Sequence, residues 1–140
     1  MGTRDLYLAL GSNLGDRERN VREALCLLDE AFGCHYTRMS PIVETAAVGF
    51  DGPPFLNCIA VYECSASPEE VLSVCKRIER EMGRTDAPEY DACGKRVYHD
   101  RIIDIDILLY GDLELNTPSL TIPHPQVEDR AYIKELLLIL

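Results

Sequence analysis

This chain is short of positive charge. It carries 14 Lys and Arg against 24 Asp and Glu, a net charge of −10. That balance argues against a non-specific nucleic-acid binder and against a partner for anionic membrane surfaces. Any anionic ligand must be met by a local cluster of basic side chains or by metal. No apolar run reaches membrane-spanning length, and no basic-plus-apolar leader is visible. The six cysteines, Cys26, Cys34, Cys58, Cys64, Cys75 and Cys93, form no Cys-x-x-Cys pair, and no histidine stands at zinc-ligand spacing from them. They read as reduced thiols of a cytoplasmic protein, mostly acting as small core hydrophobes, with Cys93 alone in a polar stretch. Internal repeats and low-complexity tracts are absent too. The 140 residues, 46% hydrophobic and 27% charged, are expected to form one domain, 1–140, with a real core.

What is present centres on Arg101–Gly111, RIIDIDILLYG. Strict alternation predicts a strand with Ile103, Ile105, Ile107 and Leu109 on one face and Asp104, Asp106, Leu108 and Tyr110 on the other. Residues i and i+2 of a strand lie roughly 6–7 Å apart with side chains parallel. Two carboxylates held that way can grip a pair of hard cations about 3.5–4 Å apart, as in two-metal phosphoryl chemistry. A solvent face that happens to carry two acids is the bland alternative. Four aliphatics burying the opposite face, and Arg101 three residues before the first acid, favour a metal–phosphate site.

Around that strand, Asp5–Leu10 alternates as a first strand, and Gly11-Ser12-Asn13 breaks it. Asp16 is the expected N-cap of a helix with Val21, Leu25, Leu28 and Phe32 inward and Gly33 as its C-terminal cap. Cys34–Val43 is a weaker strand interrupted by Pro41, and Glu44–Phe55, with two Gly and two Pro, reads as a loop. Leu56–Glu63 is a strand that places Asn57 on the face of Ile59 and Val61, where an amide needs a partner. Ser67-Pro68-Glu69-Glu70 is a capping box opening a helix with Val71, Val74, Cys75, Ile78 and Met82 on one stripe, closed by Gly83. Residues 84–100 lack periodicity, which suggests a lid or a disordered stretch. A turn at Gly111-Asp112, a short return through Leu113–Leu115, Ile122–Pro125 and a last helix from about Val127 complete the chain. The order is that of an α+β, ferredoxin-like βαββαβ plait: an antiparallel sheet with helices packed on it and long loops around the active site.

Other candidate groups are Arg84, Lys95, Arg96 and Arg101, whose planar or compact cations suit phosphate. His124, between two prolines and near Arg130, could equally be structural. Phe55, Tyr98 and Tyr132 fit either a core or a stacking platform. Gly11–Gly15 lacks both the dinucleotide and the Walker signatures and is an ordinary strand-to-helix turn.

Taken together, Leu8–Arg17 (LALGSNLGDR), Thr45, Phe55-Leu56-Asn57, Ile78-Glu79 with Gly83-Arg84, Arg101-x-x-Asp104-x-Asp106, and Pro123-His124-Pro125 with Arg130-x-Tyr132 resemble the hydroxymethyl-dihydropterin pyrophosphokinase family of the folate pathway. The resemblance runs in order over nearly the whole chain. It implies a cytoplasmic, ATP-dependent enzyme that transfers pyrophosphate from ATP to 6-hydroxymethyl-7,8-dihydropterin and releases AMP. It further implies two Mg2+ ions on Asp104 and Asp106, and Arg84, Arg101 and Asp106 as catalytic residues. Thr45, Val48, Phe55, Asn57 and Tyr132 would bind pterin; Glu79, Arg84, Arg101, Ile107, Thr121, His124 and Arg130 would bind ATP. No nucleic acid or membrane partner is implied, and a monomer is expected. Departures from the family pattern are His99-Asp100 in place of Gly-Pro before Arg101, Val43 and Ala47 flanking Thr45, Ser119 where an Arg is frequent, and a longer stretch between Arg84 and Arg101. Two rivals stand beside this reading: a non-catalytic pterin- or nucleotide-binding module of the same fold, and a palm-type nucleotidyl transferase. The acid pair counts against the first, and the absent basic surface against the second.

Overall fold

Leu6, Leu8 and Leu10 alternate into one apolar layer while Tyr7 and Ala9 face the opposite way, and this two-sidedness sets the architecture. The computed structural model describes residues 2–46, 52–83, 89–90, 96–97 and 102–140. Strand β1 (Arg4–Ser12) is central, between β4 (Phe55–Cys64) and β7 (Asp104–Tyr110). The sheet runs β2-β4-β1-β7, with β2 (Arg38–Met39) and β3 (Val43–Thr45) both pairing β4, and every pairing is antiparallel. The weak strand before Pro41 is thus a two-residue strand, and a second short strand occupies the start of the expected 44–55 loop. This is the ferredoxin-like order.

Helices α1 (Arg17–Phe32) and α2 (Pro68–Glu81) cover one face. Asp16 caps α1 by accepting the Arg19 N–H, and Gly33, at φ 70°, ends it in the left-handed conformation. Ser67 caps α2 by accepting the Glu70 N–H, ahead of Pro68. Val21, Leu25 and Leu28 of α1 and Val71, Cys75 and Ile78 of α2 are buried against Leu6, Leu8, Leu10, Cys58, Ala60 and Tyr62. Each fully buried aliphatic contributes about 1.5–3 kcal/mol. The opposite face carries a smaller core of Ala9, Ile59, Leu108, Ile133 and Leu136. The expected last helix is two: α3 (Gln126–Asp129) and α4 (Ala131–Leu138), separated by Arg130 in an extended conformation.

Three further expectations are corrected. Strict alternation along the acidic strand stops at Leu108, because β7 pairs Ile107 with Leu8 but Leu109 with Tyr7, a bulge that adds one residue. Leu108 and Leu109 therefore both join the α4 side, and Tyr110 turns into the main core, fully buried. Cys26 and Cys34 are exposed; Cys26 points off the inward stripe of α1, and Cys34 follows its cap. Cys58, Cys64 and Cys75 are buried free thiols as expected, and burial pushes Cys58 up to about 12. Within the aperiodic stretch, β5 (Glu89–Tyr90) pairs with β6 (Arg96–Val97). The rest of that stretch, with the lid expectation, Arg84, Cys93, Lys95 and Arg101, lies outside the described residues, as does Val48.

Candidate active site

The register across the sheet places the acids. Gly11 of β1 pairs with Asp104 on one side and Asn57 on the other, and Asn57 in turn pairs with Val43; one row behind, Ala9 pairs with Asp106 and Ile59. Asp104, Asp106, Asn57, Phe55 and Thr45 thus stand on one face, the face α4 packs on. Ile105 and Ile107 anchor the other side of β7 in the main core.

Asn57 is only 7% exposed, and its Nδ2 donates to Thr45 Oγ1 at 2.6 Å. The partner that the sequence demanded for this amide is therefore in part the threonine itself. Its Oδ1 lies directly over Gly11: a Cβ there would come within 2.8 Å of it, with Phe55 Cδ2 at 3.5 Å. Gly11 is glycine because the amide occupies the space a side chain would need.

The turn after β1 is a clamp. Asn13, 2% exposed, donates to the Pro53 carbonyl at 3.1 Å, and Arg17 donates to the Pro54 carbonyl at 2.8 Å. The same Arg17 nitrogen pairs with Glu44 at 2.9 Å. Together they bind the segment before Phe55 to the strand that holds Thr45. Asn20 fixes the turn from behind, donating to Ser12 Oγ and the Leu14 carbonyl.

Along the outer edge of β7 lies a cavity of about 300 Å³ lined by residues that include Leu72, Lys76, Asp106, Ile107, Thr121 and His124. Strand β9 (Thr121–Ile122), paired with β8 (Leu115–Asn116), leads through a cis Ile122–Pro123 bond to His124. The His124 N–H donates to the Leu108 carbonyl at 2.9 Å, so the bulge and this loop hold each other. Burial lowers the pKa of His124 below the ordinary 6.5; Asp104 pulls it back upward and Arg130 pushes it further down. The neutral ring accepts the Gln126 N–H at Nδ1 (3.1 Å), which leaves the proton on Nε2 as a donor. Tyr132 is raised, first by burial, with Arg130 lowering it and Asp106 and Asp104 raising it, so its hydroxyl stays protonated. Gln126 Nε2 reaches Asp106 Oδ2 at 3.5 Å.

The fold therefore brings together Thr45, Phe55 and Asn57 on β3 and β4, with Tyr132 on α4 over the same face. Ile107, Thr121 and His124 meet at the cavity, with Asp106 shared between the two regions and Arg130 adjacent to His124 and Tyr132. Glu79 stands behind: fully buried, its Oε2 accepts the Ile105 N–H at 2.8 Å, from the peptide between the two aspartates. Among the described residues no group of three or more His, Cys, Asp or Glu side chains is arranged to hold a metal. Asp104 and Asp106 are half-buried and parallel. A two-carboxylate set suits Mg2+, which keeps several waters and takes its other ligands from phosphates. Sequence reasoning missed Gly11, Asn13, Arg17, Lys76 and Gln126 as site-builders. Gly11, Asn13 and Arg17 lie in the Leu8–Arg17 motif but were given no role there, and the i, i+4, i+7 stripe of Leu72, Lys76 and Glu79 was the available signal for Lys76; nothing local marks Gln126.

The family profile described as 7,8-dihydro-6-hydroxymethylpterin-pyrophosphokinase (HPPK) matches residues 7–140. A 2-amino-4-hydroxy-6-hydroxymethyldihydropteridine pyrophosphokinase of Porphyromonas gingivalis is 40% identical over 131 residues, 92% of this chain and 85% of that protein. The protein of the same name from Bacillus subtilis is 37% identical over 128 residues, 91% of this chain and 72% of its own. A mitochondrial folate synthesis bifunctional protein of Pisum sativum is 40% identical over 130 residues, which cover 92% of this chain but only 24% of the plant protein. With a match over nearly all its length, and with the acid pair and the Asn57–Thr45 pair assembled on one sheet face, this chain belongs to the 7,8-dihydro-6-hydroxymethylpterin-pyrophosphokinase family.

Proposed function

We propose that this chain transfers pyrophosphate from ATP to the hydroxymethyl oxygen of 6-hydroxymethyl-7,8-dihydropterin, giving AMP and the pterin diphosphate of folate synthesis. The observation that carries the reading is the position of Asp106: it lines the cavity holding His124, Thr121 and Ile107, and it shares a sheet face with Asn57 and Thr45. A carboxylate pair between an amide–hydroxyl pocket and a cavity with a neutral histidine suits a reaction that joins two small molecules.

In this reading Asn57 and Thr45 present a fixed donor–acceptor edge to the pterin, Phe55 and Tyr132 supply flat apolar surface for its ring, and the Asn13–Arg17 clamp holds that wall still. His124 offers its Nε2–H to the nucleotide, and Arg130 adds charge. The hydroxymethyl oxygen attacks the β-phosphorus in line; the new O–P bond forms as the bond to the bridging oxygen of the α-phosphate breaks, and AMP departs. The hydroxyl proton goes to a carboxylate such as Asp106 or to solvent. Asp104 and Asp106 are the residues that would hold Mg2+, which when bound supplies charge neutralisation to the phosphate oxygens. Val48, Arg84 and Arg101 complete the proposed set, and Glu79 contributes by position, through the backbone of Ile105. The free thiols fit the reducing cytoplasm, and two small-molecule substrates require no second subunit, nucleic acid or membrane. No helix among the described residues is long and apolar enough to cross a membrane.

The test is a product assay with ATP, Mg2+ and the reduced pterin. AMP and pterin diphosphate should appear in equal amounts; binding of both substrates without AMP would instead identify the non-catalytic module.

A further inference from the structure

Among the described residues lining the edge cavity, one side chain is cationic. His124 is an imidazole whose Nδ1 accepts the Gln126 N–H; Leu72, Ile105, Ile107, Leu120 and the prolines are apolar, Ser119 and Thr121 offer hydroxyls, and Asp106 is an acid. Lys76 alone among them brings positive charge, from the third turn of α2. Its Nζ lies 3.7 Å from Glu79 Oε1, one position of an i, i+3 pair. The lysine side chain is 43% exposed and the glutamate 1%, so the ammonium sits at the boundary between a buried anchor and the open cavity.

That asymmetry matters chemically. An ammonium has three donors, and a contact of 3.7 Å with one carboxylate oxygen leaves donors for a second anion. The four-carbon stem lets the head turn into the cavity while Glu79 limits how far it strays. Glu79 is fixed in turn, because its other oxygen accepts the Ile105 N–H between Asp104 and Asp106. One buried carboxylate therefore ties Lys76, the one cation among the described lining residues, to the strand that carries the acid pair. Were Lys76 only a helix-surface partner for Glu79, nothing would require it to be the one cation among the described residues of this lining, in a chain of net charge −10.

We infer that Lys76 is a phosphate-binding residue of the nucleotide cavity, aimed by Glu79, and that it adds to this cavity's preference for a nucleotide over a bare nucleoside. The inference rests on the cavity being the nucleotide site of the proposed reaction; it does not depend on turnover.

The experiment is titration calorimetry of wild type, Lys76→Gln and Lys76→Arg with ATP and with adenosine, at two salt concentrations. Losing one partly exposed charged contact should weaken ATP about five- to tenfold. Adenosine should bind all three proteins alike, the arginine variant should recover most of the ATP affinity, and added salt should shrink the gap. Equal weakening of ATP and adenosine, or no weakening of either, overturns the inference, as does a wild type that binds ATP no better than adenosine. A second measurement needs no variant: in wild type labelled at the lysine ε-carbon, ATP should shift the Lys76 resonance and adenosine should not. AMP formation by the wild type is scored separately. Failure of AMP formation with the ATP–adenosine split intact sinks the reaction and leaves Lys76 standing, whereas normal turnover without the split sinks Lys76 alone.

Discussion

Replacing Gly11 by alanine isolates the tightest contact of the proposed pterin wall. The added Cβ would lie 2.8 Å from Asn57 Oδ1, closer than such atoms approach in real proteins, so the amide must shift by a few tenths of an ångström. Asn57 is 7% exposed and donates at 2.6 Å to Thr45, so the shift costs that bond's geometry or pushes on Phe55. Two opposite effects on stability follow. Removing glycine from a strand interior gains roughly 0.5–1 kcal/mol, whereas overpacking a filled site costs about 1–3 kcal/mol, for a net loss of roughly 0–2.5 kcal/mol. Binding should suffer more consistently: a misdirected buried hydrogen bond to ligand costs about 1–3 kcal/mol, or roughly five- to 150-fold in Kd for the pterin. Urea unfolding gives the first quantity and calorimetry with the reduced pterin the second. The Asn57→Ala background is the control. With the amide gone the clash is gone, and Gly11→Ala should become stabilising by about 0.5–1 kcal/mol. If Gly11→Ala destabilises the Asn57→Ala protein as much as the wild type, or leaves pterin affinity untouched, the contact is not what selects glycine here.

Asp104→Ala and Asp106→Ala should each abolish pyrophosphoryl transfer while the unfolding midpoint stays near wild type; turnover close to wild type in either, at saturating Mg2+, refutes the acid-pair assignment. Asn13→Ala leaves the Pro53 carbonyl without its donor, and should cost about 1–2 kcal/mol in stability and raise the pterin Kd more than the ATP Kd, both readable by the same two methods. His124 is lowered below 6.5 in the folded state, so the unfolded chain takes up the proton first as pH falls. Its contribution to stability is complete above pH 6.5 and declines as pH falls through the folded value. His124→Asn should flatten that part of the stability–pH curve; an unchanged curve would show that the ring is not shielded.

The caps of α1 and α2, the alternation of Leu6, Leu8 and Leu10, and the same-face pair Asp104 and Asp106 were all legible in the sequence. Each depends on a periodicity or a capping bond spanning a few residues, and local sterics enforce it. The motif order from Leu8 to Tyr132 carried the family as well. The bulge at Leu108 was not legible, because Leu108 and Leu109 are both apolar and satisfy either face; pairing with β1 decided it, and with it the burial of Tyr110. Nor did the sequence show that Asn57 fills the space above Gly11, that Asn13 and Arg17 reach Pro53 and Pro54, or that Glu79 lies under the aspartate strand. Those contacts join residues 26 to 46 positions apart, where no local preference acts. They exist only because strand register and helix packing set the distances, and register is fixed by the burial of the whole sheet rather than by any one segment of it.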